Sequence, residues 1–171
     1  MTSVNANTTT QIHNAVGNSL RIKGASSRGD LVVSASAGVC GLRKKIIPLT
    51  ATYTVLVADS GSLYTLGTAG GFTVTLPAVA DCSGCEWDFV VKVAPTTAYI
   101  IDSAANDVHG AAVTIDDAAG DSKGTAGTAV DAVTFVANEA KIGDKLNIFS
   151  DGTYFYATAI GSGVFTSITY T

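Results

Sequence analysis

Histidine is the side chain that most often transfers protons in enzymes, and this sequence has two. Both lie in segments that are polar or typical of a turn. His13 lies in a polar N-terminal stretch, and His109 lies in a segment, Asn106 to Gly110, that is typical of a turn. Acid–base catalysis needs such a group beside a nucleophile or a second acid, and no Gly-x-Ser-x-Gly nucleophile elbow occurs. A triad assembled from distant residues stays compatible with the sequence, but the pattern favours a protein that is not an enzyme.

The carboxylates that could form a catalytic pair or a metal site lie in segments rich in Gly and Ala, and no aromatic residue adjoins them. Asp in such segments is expected to shape turns. Their spacing does not match a calcium loop that ends in Glu, and no phosphate-binding GxxxxGK[ST] motif is present. We therefore expect no cofactor. The carboxylates considered are Asp102, Asp107, Asp116, Asp117 and Asp121.

The three cysteines are Cys40, Cys82 and Cys85. The last two have the CxxC spacing found in redox enzymes and zinc sites. A zinc site needs about four ligands, so this pair is half a site. It precedes a strand-like segment rather than a helix, so we interpret it as a turn with two small thiols. A redox or metal role is the alternative.

Charge is distributed unevenly along the chain. Residues 1–52 carry six basic residues and one acid (6 − 1 = +5), whereas residues 53–171 carry four basic residues and thirteen acids (4 − 13 = −9). The sum is the net charge of −4. An acidic body repels nucleic acid, so we expect the basic part to contact an acidic protein surface. The basic residues of the first part are Arg21, Lys23, Arg28, Arg43, Lys44 and Lys45.

The first 48 residues lack the pattern of an independent core, because aromatic residues are absent before Tyr53. We predict an extended basic arm over residues 1–48 that becomes ordered against a partner, with a hinge at Pro48. The N-terminus has no apolar segment typical of a signal peptide, and no apolar run approaches the roughly 20 residues of a membrane helix. The sequence thus predicts neither export nor membrane contact.

Residues 49–171 alternate short Val-, Thr- and aromatic-rich segments with Gly-rich turns, which predicts an all-β body. Only 14% of the residues of the chain are charged, against about 25% in an average domain. The spacing predicts about ten short strands in an antiparallel β-sandwich or jelly-roll-like barrel. We expect Trp87 and Phe89 to share a buried face, a hairpin at Asp151-Gly152, and a long exposed loop over residues 116–128.

Three segments carry a resemblance to a known type of protein. They are PLTATYTVLVADSG (residues 48–61), AGGFTVTLP (residues 69–77) and NIFSDGTYFYA (residues 147–157). Their strand-and-turn layout resembles small β modules of tailed bacteriophages, which occur in capsid decoration (cement) proteins and in head- or tail-fibre proteins. The resemblance covers about residues 48–171 and carries over no functional residue.

The resemblance implies a homotrimer or similar cluster that is made in the host cytoplasm and seated on the virion. There it would stabilise contacts between subunits of the major capsid protein. Partners would be that protein and copies of this chain, without nucleic acid or membrane. An arm can contact neighbouring subunits by adding a strand to a sheet. The residues expected to bind are Leu20, Arg21, Ile22, Lys23, Arg28, Leu31, Val32, Val33, Arg43, Lys44, Lys45, Ile46 and Ile47.

Two alternatives stay open. One is a fibre or spike module that binds a host glycan through exposed aromatic residues, with Trp87, Tyr154, Phe155 and Tyr156 as candidates. The other is a hydrolase that acts on polysaccharide, which would need a pair of acids across a cleft.

Overall fold

The structure is a computed structural model that describes residues 44–171, apart from residues 104, 106, 117–120 and 163–167. Its regular structure is almost entirely extended, and the two helical segments are single 3-10 turns, Val57–Asp59 and Val79–Asp81. The twelve strands of this part of the chain are β1 (Ile46–Leu49), β2 (Tyr53–Thr54), β3 (Leu63–Leu66), β4 (Phe72–Thr75), β5 (Glu86–Val91), β6 (Tyr99–Asp102), β7 (Val108–Asp116), β8 (Asp121–Val130), β9 (Ala132–Phe135), β10 (Lys145–Ser150), β11 (Phe155–Ser162) and β12 (Ile168–Tyr170).

The strands form two sheets whose inner faces share one apolar core. The seven-stranded sheet has the order β1-β3-β5-β10-β11-β7-β8, and the five-stranded sheet has the order β12-β9-β6-β4-β2. Both sheets contribute side chains to a single buried cluster, which is how a sandwich removes apolar surface from water. The all-β sandwich predicted from the sequence is confirmed, with twelve described strands instead of about ten.

The predicted antiparallel pairing is wrong for half of the strand neighbours. Five of the ten described pairs are parallel and five are antiparallel. The first six strands alternate between the sheets, so β1, β3 and β5 are parallel neighbours in one sheet and β2, β4 and β6 in the other. Each of β2, β3, β4 and β5 therefore lies in the crossover between two parallel neighbours of the opposite sheet. The jelly-roll connectivity is not confirmed.

The core is built from alternate residues of each strand. In β5, Trp87, Phe89 and Val91 are buried, while the residues between them face outward. Trp87 and Phe89 thus share the buried face that the sequence predicted. The Phe89 ring stacks on Tyr64 of β3 with 5.2 Å between the ring centroids. Each large buried side chain contributes about 1.5–3 kcal/mol to folding.

The body begins earlier than the predicted boundary at residue 49. Strand β1 pairs with β3 from Ile46 onward, and the Leu63 amide donates to the Lys45 carbonyl at 2.8 Å. Residues 46–48 therefore belong to the sheet rather than to an arm, and Pro48 lies within an edge strand instead of a hinge. An edge strand tolerates proline because one side of its backbone needs no partner. The rest of the predicted arm lies outside the described residues.

Two local predictions about the second half of the chain need correction. The segment 116–128, expected to be a loop, contains most of β8, which forms an antiparallel pair with β7. Its Thr-, Ala- and Gly-rich sequence lacks bulky residues, so alternation gave no strand signal. The hairpin at Asp151-Gly152 exists, but Ser150 pairs with Phe155, so the turn has four residues instead of two.

Candidate binding face of the seven-stranded sheet

The outer face of the seven-stranded sheet carries three rows of side chains that cross neighbouring strands. Strand register sets the rows, and alternation sends the intervening residues into the core. We name the three rows by their distance from the β10–β11 turn. The turn row is Glu86, Phe149, Tyr156 and His109; the central row is Ile46, Leu63, Asp88, Asn147, Thr158 and Ala111; the far row is Thr65, Val90, Lys145, Ile160 and Val113.

A polar cluster joins the central row to the turn row. The Lys44 ammonium donates to Asp88 and lies 4.0 Å from Glu86. The Asn147 amide nitrogen donates to both carboxylates, at 2.9 Å each. Partial burial opposes ionisation of Asp88, but the hydrogen bonds from Lys44 and Asn147 outweigh it and hold the pKa of Asp88 below its usual value. The hydrogen bond to Asp88 in turn raises the pKa of Lys44.

The other described members of the predicted binding set have different positions. Lys45 donates to Asp59 at 2.6 Å, and that carboxylate is largely buried. Ile46 is 62% exposed on the outer face, whereas Ile47 packs against the core. The Ile46 side chain is exposed and apolar, whereas Lys44 and Lys45 are exposed but already paired with carboxylates of the body. The predicted residues from Leu20 to Arg43 lie outside the described part of the chain.

An open cavity of about 400 Å³ separates the central and far rows. Its lining combines aliphatic surface with one amide, one carboxylate and one ammonium group. Such a mixture suits a side chain or small group that offers both apolar and polar atoms. The outward residues that line it are Leu63, Asp88, Val90, Lys145, Asn147, Thr158 and Ile160.

Exposed aliphatic side chains adjoin this cavity on β11 and β7. Ile160 lies opposite Val113 in the register, and Ile115 follows two residues later on β7. These three residues are 57%, 46% and 50% exposed, respectively. Contiguous apolar side chains on a surface mark a site of association more often than scattered ones do. We call Val113, Ile115 and Ile160 the aliphatic patch.

The turn row forms a second surface, which is aromatic. Phe149 and Tyr156 lie on neighbouring strands with their ring centroids 6.1 Å apart and their planes 24° from parallel. The Tyr156 hydroxyl donates to Asp151 Oδ2 at 2.9 Å. Asp151 Oδ1 accepts from the amides of Tyr154 (2.9 Å) and Thr153 (2.7 Å). The backbone donors, with the Tyr156 hydroxyl, lower the pKa of Asp151. We call Phe149, Tyr156 and the adjoining Tyr154 the aromatic platform.

The residues of this platform were only partly predictable from the sequence. Of the four aromatic residues considered for a glycan site, Tyr154 and Tyr156 are exposed, while Trp87 and Phe155 are fully buried. Phe149 was missed, although its outward position follows from the alternation of β10. The pairing of Phe149 with Tyr156 depends on the register of the hairpin. The two-residue turn predicted from the sequence gives a different register, so it did not indicate this pair.

His109 is the candidate acid–base histidine that lies among the described residues. His109 makes an edge-to-face contact with Tyr154, at 4.6 Å between centroids, and its buried Nε2 has no hydrogen-bond partner among the described groups. The described chain has no group of three or more His, Cys, Asp or Glu residues that could hold a metal ion. His13 and Asp117 lie outside the described residues.

The CxxC segment forms a turn, as the sequence indicated. The Cys85 amide donates to the Cys82 carbonyl at 2.9 Å, and the loop pairs with Ser150 through both of that residue's backbone groups. Both thiols are free and buried. Burial raises the pKa of the Cys82 thiol to about 11, so this sulfur is a poor nucleophile at neutral pH.

Comparisons with known proteins add no relative: no family model, curated protein or solved structure matches the chain. Within the described residues, no helix has the length and apolar character needed to cross a membrane.

Proposed function

We propose that this protein is a structural virion protein that binds the outer surface of an assembled capsid and stabilises contacts between major capsid subunits. The aliphatic patch carries the proposal. Val113, Ile115 and Ile160 lie together on neighbouring strands of one sheet, beside a cavity that can accept a partner side chain. Apolar surface of this kind is stabilised when another protein covers it.

Charge supports a protein partner. Residues 1–43 carry four basic residues and one acid, and residues 44–171 carry six and thirteen (4 − 1 = +3; 6 − 13 = −7). The described lysines nearest this arm, Lys44 and Lys45, are already paired with Asp88 and Asp59. The basic groups proposed for an acidic capsid surface are therefore those before residue 44. Complementary charge of this kind raises the association rate and sets orientation.

The proposal also includes a homotrimer of this chain. A homotrimer would present three arms and three patches to the shell at once, so modest single contacts would combine into tight attachment. The protein would then be found on the virion surface after synthesis in the host cytoplasm. In this role it acts as a non-enzymatic clamp with the major capsid protein and its own copies as partners.

The test uses capsids of the virus that encodes the chain, stripped of this protein and mixed with purified variants. The full chain should co-sediment with the shells and raise the temperature at which they disrupt. Ile160→Asp should weaken binding about tenfold, because a charge in the contact is desolvated without a partner. Ile142→Asp is the matched control, since Ile142 is 69% exposed and lies outside the patch.

Truncation tests the arm separately. Removing residues 1–43 leaves β1 in place and should abolish capsid binding without unfolding the body. Removing residues 1–48 also deletes most of β1 and should lower stability, because the β3 edge loses its partner. Normal binding by the 1–43 deletion would refute the role of the arm, and equal binding by Ile160→Asp and the full chain would refute that of the patch.

A further inference from the structure

The aromatic platform lies apart from the aliphatic patch and has no part in the proposed capsid contact. Phe149 and Tyr156 are 43% and 42% exposed, although large aromatic side chains gain free energy from burial. Their rings stack on one another across β10 and β11, with their planes 24° from parallel. They present apolar surface at a fixed orientation, flanked by polar groups.

The polar groups around the rings are held in place. Asp151 is fixed by two backbone amides and the Tyr156 hydroxyl. On the other side, the Asn147 amide is fixed between Glu86 and Asp88. Carboxylates and amides of this kind have further lone pairs or protons that can bind hydroxyl groups. The site therefore combines exposed aromatic surface with acceptors that are already held in place by hydrogen bonds.

We propose that the aromatic platform binds a neutral oligosaccharide, with the apolar face of a pyranose ring against Phe149 and Tyr156. The C–H groups on one face of such a ring carry partial positive charge and are attracted to the negative face of an aromatic ring. The equatorial hydroxyls at the sugar's edge then reach the carboxylates of Asp151 and Glu86 as donors. Preorganised groups lose little conformational entropy on binding.

The surrounding charge selects among the ligands that stack on aromatic rings. Glu86, Asp88 and Asp151 place three carboxylates around the platform, and Lys44 pairs with Asp88 and adjoins Glu86. A uronic or sialic acid, or a nucleotide phosphate, would bring a further negative charge into this site. Like charges at short range disfavour binding, so the neutral sugar is the ligand that the site fits. The turn row crosses four strands, about 14 Å at the usual strand spacing, which suits a short oligosaccharide.

The experiment is a screen of the full chain on an array that carries neutral and acidic oligosaccharides, followed by calorimetric titration with the neutral sugar retained best. Tyr156→Ala should weaken the affinity about two- to tenfold, the range expected for loss of one aromatic contact. Tyr156→Phe keeps the ring and should retain most of the affinity. Ile142→Ala is the control and should bind as the full chain does.

Three outcomes would overturn the inference. They are retention of no neutral oligosaccharide, stronger retention of acidic than of neutral sugars, and unchanged affinity in Tyr156→Ala. Unfolding curves of each variant verify that the side chain, rather than the fold, is responsible. The capsid assay is independent: Tyr156→Ala should bind shells normally, so failure of one proposal leaves the other standing.

Discussion

The two most informative substitutions for the fold are Tyr99→Phe and Tyr64→Phe, because they remove the same atom from two fully buried rings. The Tyr99 hydroxyl accepts from the Thr68 amide at 3.1 Å and lies 2.5 Å from the Thr68 carbonyl and 2.9 Å from the Val93 carbonyl. It joins β6 of one sheet to the segments that follow β3 and β5 of the other. The Tyr64 hydroxyl is buried and has no hydrogen-bond partner among the described residues.

The expected magnitudes follow from these partners. The Thr68 carbonyl also accepts from the Gly71 amide, so its loss in Tyr99→Phe is partly compensated. The Thr68 amide has no other acceptor among the described contacts. One net hydrogen bond and one unsatisfied, partly buried donor together cost about 1–3 kcal/mol. Tyr64→Phe removes a polar group that burial penalises, as the raised pKa of Tyr64 also indicates, so it should be neutral or stabilise by up to about 1 kcal/mol.

Denaturant unfolding of the full chain measures both values. Trp87 is the only tryptophan and is fully buried, so its fluorescence reports unfolding of the body directly. The slope of the unfolding free energy against denaturant concentration should stay constant, while the midpoint concentration changes. If Tyr64→Phe destabilised the protein as much as Tyr99→Phe, the assigned hydrogen bonding of these rings would be wrong.

Three further predictions concern backbone, thiols and acid. Gly71→Ala should destabilise by about 1–3 kcal/mol or more, because Gly71 has φ +61° and its Cβ would lie 2.0 Å from a backbone carbonyl; Gly70→Ala, with open space around it, is the control in the same unfolding assay. Iodoacetamide should label Cys82 and Cys85 slowly in the native protein and rapidly in denaturant; mass spectrometry showing equal rates would contradict their burial. The pKa of Asp88 is lowered in the folded protein. The ionised carboxylate therefore stabilises the fold at pH values above the usual carboxyl pKa, and this contribution is lost as the pH falls through the lowered pKa. Between pH 7 and pH 3, the free energy of unfolding should therefore fall less in Asp88→Asn than in the unsubstituted protein. An equal fall in both proteins would refute the ion pair.

Strand content could be predicted from the sequence because it depends on local patterns. The Phe72–Leu76 segment alternates apolar residues with Thr, and β4 lies there. Strand β8 could not be found in this way, since its Gly, Ala and Thr residues give no alternation. It is extended because β7 supplies backbone partners along its length, which is a tertiary effect.

Whether neighbouring strands are parallel or antiparallel could not be predicted from the sequence. A strand with one buried face has the same alternation whether its neighbours are parallel or antiparallel. The alternation of β1 to β6 between sheets becomes visible only when partners are known. The site followed the same rule: the outward position of Tyr156 is a local property, whereas its pairing with Phe149 needs the hairpin register.

The arm was the part of the prediction most changed by the fold. Lys44 and Lys45 account for two of the three residues in the basic cluster, and both form ion pairs with carboxylates of the body while their side chains stay exposed. Sequence could not show this, because Asp88 and Asp59 lie 44 and 14 residues away.

The most direct measurement of the central claim is the disruption temperature of stripped capsids after addition of the full chain, the 1–43 deletion or Ile160→Asp. The capsid proposal predicts a rise with the full chain, none with the deletion, and a smaller rise with Ile160→Asp at equal concentration. Capsids that bind no full chain and disrupt at an unchanged temperature would contradict it.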